Sequence, residues 1–410
     1  MLSSIGLTRV IDVVVDKPSW KTQPIQFRHS FPRVLGQLAG PCDVNILLML
    51  LRLGELTTPS LSAQSGVAKL WPLLRYLHIL SDLQELRLRT AWKDVDPHQK
   101  SVASDDFGVG LGMTVLYRAF DYTECVDGRA FLHRLAQLGA LGGAGATPPK
   151  VGSMKMADFV ALDQKGKVHL IECKGTQHST SALTSALEDG VQQKQSLICS
   201  SPGMERRLIG QRLVVGTLLT HETAKTPTRV LVVDPAPDGE EMVLQPRAPQ
   251  SLLAEAAMRL DISRAVGAAV AERTARVLSL VDRPMDGAAL EGPEQRQRAQ
   301  QAFSEDEPNL TSFEAHGEYW LGERVVVPLL EPLQVQGAVF KYALLTKAVS
   351  KRLLGEVRQA GQTSVLFQEQ YPETAGLTGK VVELAEGSTA AIIRPGISLA
   401  EVTLMERRAQ

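Results

Sequence analysis

The stretch ADFVALDQKGKVHLIECKGT, residues 157–176, restricts the fold more than any other part of the chain. Two apolar, alternating runs flank Asp163-Gln164-Lys165-Gly166. Asp at the first position and Gly at the fourth suit a type I turn, with Gly166 free to adopt the left-handed conformation. That gives a three-residue hairpin loop over Gln164–Gly166. Asp163 then faces Lys167, so cross-strand partners have numbers that add to 330. Asp158 faces Glu172, with Cβ atoms roughly 5 Å apart. Alternation with period two puts Lys174 on the face of Glu172 and Cys173 on the opposite, packed face. A slip of one residue would set Asp158 against Cys173 and scatter the three charges.

Two neighbouring carboxylates repel, and here they interrupt the most apolar runs of both strands, FVAL and VHLI. A hard cation such as Mg²⁺ relieves that repulsion, because it favours oxygen ligands and binds one or two carboxylates together with water and substrate phosphate. An ammonium at Lys174 would orient or deprotonate an attacking water, or neutralise charge on a phosphate. Two carboxylates and a lysine around Mg²⁺ suit phosphodiester hydrolysis. The plainer alternative is a solvated Asp–Lys–Glu cluster on an edge hairpin. The helix expected at SALTSALEDGVQQKQSLICS follows at once to bury one face, which favours the site.

Asp158, a hairpin, then Glu172-Cys173-Lys174 on the next strand resembles the PD-(D/E)xK nuclease superfamily, over residues of about 105–235. The resemblance implies a restriction endonuclease-like core, a mixed central sheet flanked by helices, and a DNA substrate. It implies Mg²⁺, with Mn²⁺ as its substitute. Asp158 and Glu172 match the metal ligands and Lys174 the catalytic lysine; Ala157 stands where a proline often precedes the aspartate. Many members take a further acid from the first core helix. Asp106, at the expected start of that helix, is the nearest match, with Asp105 the alternate and an N-cap the competing explanation for either. Some members carry a glutamine on the helix after the lysine, and Gln192 is the preferred match, although the tyrosine that often follows is absent. His169 and His178 lack metal-ligand spacing, and His169 reads as structural.

At 410 residues the chain exceeds one compact core. Residues 1–100 are expected to form a mainly helical N-terminal domain, with a helix at VNILLMLLRL and an element order also found in winged helices. Residues 101–245 form the nuclease-like α/β domain, 246–300 a helical segment and linker, and 301–410 an α+β domain with a helix at KYALLTKAVSKRLLGEVRQA.

The formal net charge of -1 excludes attraction of the whole molecule to a polyanion, so DNA contacts must be local. Residues 146–235 carry a small excess of Lys and Arg, with Lys150, Lys155, Lys194, Arg206 and Arg207 as candidate phosphate contacts. Four scattered cysteines make neither a disulfide framework nor a zinc site. No apolar run reaches the length of a membrane span, and a cytoplasmic location is the expectation. DNA is the expected partner, with protein partners through the flanking domains and defence against foreign DNA as the biological setting. The competing expectation is a silent or latent nuclease-fold subunit that serves as a nucleic-acid-binding scaffold.

Overall fold

The structure, a computed structural model, describes residues 7–22, 29–57, 71–129, 131, 141–142, 157–193, 196–199, 202–234, 241–244, 311–335, 338–352, 381–386, 388–394 and 398–406. The chain divides into two compact units, Met1–Leu56 with Arg75–Ala256, and Thr57–Leu74 with Ala257–Gln410. The expected linker at 246–300 lies outside the described residues.

The strands are β1 (Thr8–Val15), β2 (Gly40–Asn45), β3 (Glu124–Asp127), β4 (Leu141–Gly142), β5 (Phe159–Leu162), β6 (Val168–Thr176), β7 (Ser196–Cys199), β8 (Ile209–Leu218), β9 (Arg229–Val233) and β10 (Glu241–Leu244), then β11 (Thr311–Ala315), β12 (Glu318–Val335), β13 (Ala338–Ser350), β14 (Val382–Glu386), β15 (Thr389–Arg394) and β16 (Ser398–Met405). The helices are α1 (Arg33–Gln37), α2 (Ile46–Thr57), α3 (Trp71–Tyr76), α4 (Pro97–Phe120), α5 (Thr180–Gln193) and α6 (Pro202–Leu208).

The first unit is built on a seven-stranded mixed sheet in the order β2-β1-β9-β8-β6-β5-β3. Only β6–β8 and β1–β9 run parallel. Every residue of β8 is buried, as expected of a central strand covered on both faces. On one face Gly112 of α4 meets Val215; on the other Gly216 meets Leu183 and Leu187 of α5. A small sheet, β4-β10-β7, completes the unit among the described residues.

The N-terminus differs from the expected helical domain. Two of its segments are strands that extend the same sheet, with β1 parallel to β9. Polar contacts hold them there: Arg229 pairs with Asp12 at 2.8 Å, and the Trp20 indole N–H donates to Gln211 Oε1 at 2.7 Å. The apolar run VNILLMLLRL begins on β2 and continues as α2, which is buried nearly all round as a core helix must be.

Helix α4 starts nine residues before Asp106. Pro97 occupies its first turn, where a missing N–H costs nothing, and the Asp96 side chain accepts from the His98 N–H at 2.8 Å. The helix ends at Asp121 in the left-handed conformation. Asp105 and Asp106 therefore lie inside the helix, which removes the N-cap explanation for both.

The second unit is an all-antiparallel half-barrel sheet in the order β11-β12-β13-β16-β15-β14. His316 and Gly317, both at positive φ, form the two-residue turn from β11 to β12. Trp320, Ala348, Ala391, Ile393 and Leu399 make a core cluster. The helix expected from Lys341 is corrected here: Lys341–Ser350 is the second part of β13, paired on one side with β12 and on the other with β16. The apolar spacing of YALLTKAV suits a helix face, but two flanking strands satisfy its backbone and override local propensity.

A Cβ on Gly175 would lie 1.7 Å from the Ser104 carbonyl oxygen, so backbone there meets backbone. Gly175→Ala is expected to cost about 3 kcal/mol or more, the upper range for overpacking. Chemical denaturation of the variant against the wild type measures it.

Candidate active site

The β5–β6 ladder pairs Phe159 with Ile171 and Leu162 with Val168, the register in which partner numbers add to 330. The turn that fixes it has Gly166 at φ 72, the Gly166 N–H donating to Asp163 O and the Asp163 N–H donating to Lys167 O, each at 3.0 Å. The Asp163 side chain reinforces the loop by accepting from the N–H groups of Lys165 and Lys167 at 2.8 and 2.9 Å. One step beyond the ladder, Asp158 and Glu172 bond to each other's strands. The Asp158 N–H donates to Glu172 Oε2 at 3.2 Å, and the Cys173 N–H donates to Asp158 Oδ2 at 2.9 Å. Lys174 Nζ lies 2.6 Å from Glu172 Oε1. The hairpin thus brings Asp158, Glu172 and Lys174 together at the C-terminal end of β6.

Helices close over this end from two sides, and a glycine admits each. On α5, Gly190 lies against Glu172 Cγ and Lys174 Cε, each 3.4 Å from where its Cβ would be. On α4, a Cβ at Gly108 would lie 2.8 Å from the Lys174 carbonyl, and Ser104 touches Gly175. Asp105 follows Ser104 directly and interacts electrostatically with both Lys174 and Asp158. Asp106 is committed elsewhere: it accepts a short hydrogen bond from the Tyr76 hydroxyl and feels Arg75. Of the two helix acids, Asp105 joins the cluster and Asp106 does not.

The sheet brings one more acid, Asp127 at the end of β3, which the sequence reading missed. The Gly128 N–H beside it donates to Asp158 O at 2.9 Å, and the Asp127 charge acts on Asp158. Its signal was the short run ECVD ending before a glycine.

Burial dominates the electrostatics. Glu172 is 1 % exposed, and desolvation together with the Asp158 charge pushes its pKa up to about 7 against the pull of Lys174. Desolvation also raises Asp158, opposed by the Cys173 N–H and then by Lys174. It raises Asp105 against Lys174, and Asp106 against its Tyr76 bond. A carboxylate pair that resists ionisation gains from any cation that can approach it.

The donor set suits a divalent cation. Two adjacent carboxylate oxygens with raised pKa favour Mg²⁺, which fills its remaining positions with water and phosphate. Among the described residues no group of three or more His, Cys, Asp or Glu is arranged to enclose a metal, so Asp158 and Glu172 would be the protein's share of an open site.

The remaining sequence candidates fall elsewhere. Gln192 lies on α5, and its side chain, like Lys150, Lys155 and Lys194, is outside the described residues. Arg206 and Arg207 are exposed on α6, at the start of β8. Val168 pairs with Ile209 and Lys174 with Gly216, so these arginines sit about 20 Å from Lys174 along the strands and cannot contact the same phosphate. His169 is structural: it is 2 % exposed, accepts from the Gln211 N–H at 3.3 Å, and lies 3.2 Å from Asp163 Oδ2. Cys173 is buried, as the alternation requires. Among the described residues no helix is long and apolar enough to cross a membrane.

Glu172 moves from an ordinary value of 4.5 to about 7, so the folded chain keeps a proton that the unfolded chain loses across that window. Folding stability is therefore full below the lower value and declines as pH rises through the upper one, by on the order of 3 kcal/mol. Urea titrations on either side of the window measure the decline, which Glu172→Gln should flatten. Mg²⁺ should restore stability at the alkaline end, by about 2.7 kcal/mol at a hundredfold excess over its Kd. No protein-family model matches the chain, and neither does any curated protein or solved structure.

Proposed function

We propose that the chain is a Mg²⁺-dependent nuclease that hydrolyses phosphodiester bonds in DNA, on a restriction endonuclease-like core. One observation carries this reading: the hairpin register that sets Asp158 and Glu172 beside Lys174 at a strand end flanked by two helices. Bound there, the cation supplies Lewis-acid polarisation of the phosphate and an acidified water. Asp158 and Glu172 are the residues that would hold the cation. Lys174 orients the scissile phosphate and offsets negative charge that develops on its oxygens. Asp105 faces Lys174 from α4 and tunes the ammonium's position. Packing by α4 and α5 keeps bulk water from the sheet faces, which strengthens each of these interactions. The setting we attach, defence against foreign DNA, rests on the family resemblance alone.

A second reading is a silent nuclease-fold scaffold that binds nucleic acid without cutting it. It is favoured by the way the three groups satisfy one another, with Lys174 closed onto Glu172 and Asp158 tied to the Cys173 N–H.

Plasmid and single-stranded DNA incubated with Mg²⁺, Mn²⁺ or EDTA separate the two. Asp158→Asn and Lys174→Ala should each lower cleavage by about 10²–10⁴-fold while the chain stays folded at the assay temperature, as circular dichroism reads it. Asp105→Asn should lower cleavage more than Asp106→Ala, whose main loss is stability, about 1–3 kcal/mol for leaving the Tyr76 hydroxyl without its acceptor. Cleavage that survives both Asp158→Asn and Lys174→Ala would rule out this site. Binding without cleavage under every metal would favour the scaffold.

A further inference from the structure

The second unit has an open surface cleft of about 630 Å³, lined among the described residues by Glu318, Tyr319, Ser350, Lys351 and Arg352. Its position follows from the strands. The turn at His316–Gly317 makes Glu318 and Tyr319 the first residues of β12, and antiparallel pairing sets Ser350, the last residue of β13, opposite Trp320. Alternation then sends neighbouring aromatic rings to opposite faces. Trp320 is fully buried in the core, whereas Tyr319 is 62 % exposed, the most exposed large hydrophobic side chain among the described residues. Lys351 and Arg352 continue from Ser350 at the same end, and both are exposed.

A single exposed ring is ordinary on a protein surface. A ring in a cleft with two consecutive cations is a more specific combination. The ring offers a flat face to a heterocycle, and the cations lining the same cleft offer charge to phosphates. Among the described lining residues two cations stand with one carboxylate, Glu318, whose charge would turn a phosphate backbone toward Lys351 and Arg352. The cleft's open side lets a strand pass through instead of enclosing a small ligand.

We propose that this cleft binds single-stranded nucleic acid, with one base stacked on Tyr319 and adjacent phosphates on Lys351 and Arg352. A duplex buries its base faces against one another and reaches only the cations. A strand whose bases are already unstacked reaches the ring as well. The inference rests on the nuclease reading only in taking a nucleic acid as the common ligand, and its test needs no cleavage.

Fluorescence anisotropy of the full chain in EDTA, with labelled mixed-sequence oligonucleotides of about 20 nucleotides, measures single-strand and duplex affinity. The wild type should prefer the single strand. Tyr319→Ala should raise the single-strand Kd about tenfold, the loss of one stacked base, and Tyr319→Phe should keep the affinity within about twofold. Lys351→Gln with Arg352→Gln should weaken binding and reduce the salt slope by about 1.4, the value for two single-strand phosphates. The proposal fails if Tyr319→Ala binds like the wild type, if duplex competes as well as single strand, or if no oligonucleotide binds. That last result would leave the cleft to a protein partner. The exposed substitutions should not move the unfolding midpoint, which separates lost binding from lost fold. Loss of metal-dependent cleavage in Asp158→Asn, without change in EDTA binding, keeps a failure of this cleft distinct from a failure of the hydrolytic site.

Discussion

Contact between backbone and backbone, where α4 crosses the end of β6, is the constraint from which the first unit's arrangement follows. Gly175 against the Ser104 carbonyl and Gly108 against the Lys174 carbonyl leave no room for a side chain between helix and strand. On the other face Gly190 lets α5 lie against the side chains of Val214, Glu172 and Lys174. The end of one strand is thereby clamped between two helices, and its charged side chains lose water beside core residues such as Val214. Asp105 reaches Lys174 because its predecessor in sequence is the residue in contact. A helix seated an ångström or two further out would leave Asp158, Glu172 and Lys174 hydrated, and their charges would be ordinary.

Desolvation then sets the chemistry of the cluster. Burying two carboxylates near one another costs more than a single ammonium returns, so one carboxyl keeps its proton to near neutrality. Such a cluster is frustrated in the bare protein, because proton, lysine and any external cation compete for the same oxygens. The fold tolerates this because the hairpin beneath is held independently, by its turn, its ladder and the Asp163–His169 contact. Stability is supplied at one end of the hairpin and buried charge is concentrated at the other.

The hairpin was legible in the sequence because everything that fixes it is local: a turn with Asp and Gly in the right places, and alternation on both sides. The choice between Asp105 and Asp106 was not, since it depends on where α4 begins and which way each residue points on it. Consecutive helix positions differ by about 100°, so an error in the start reassigns the acid. Strands β1 and β2 escaped notice because β1 pairs with β9, some two hundred residues away, a relation that no local pattern records. Residues Lys341–Ser350 read as a helix because a strand flanked on both sides can carry apolar residues at helical spacing. Asp127 was missed for a related reason: β3 is four residues long and shows its role only beside β5.

Helices on both faces of the central strands also decide the direction of approach. Among the described residues α4 and α5 cover both broad faces of the sheet at β6 and β8, which leaves the strand tip as the side from which Lys174 is approached. If the ligand is a polymer, as proposed, it presents only a short arc of its contour there and is gripped further by surfaces outside the cluster. On the proposed reading, reach and the choice among polymers fall to parts of the chain remote from Asp158, Glu172 and Lys174. Those groups could remain unchanged while the surrounding surfaces diverge.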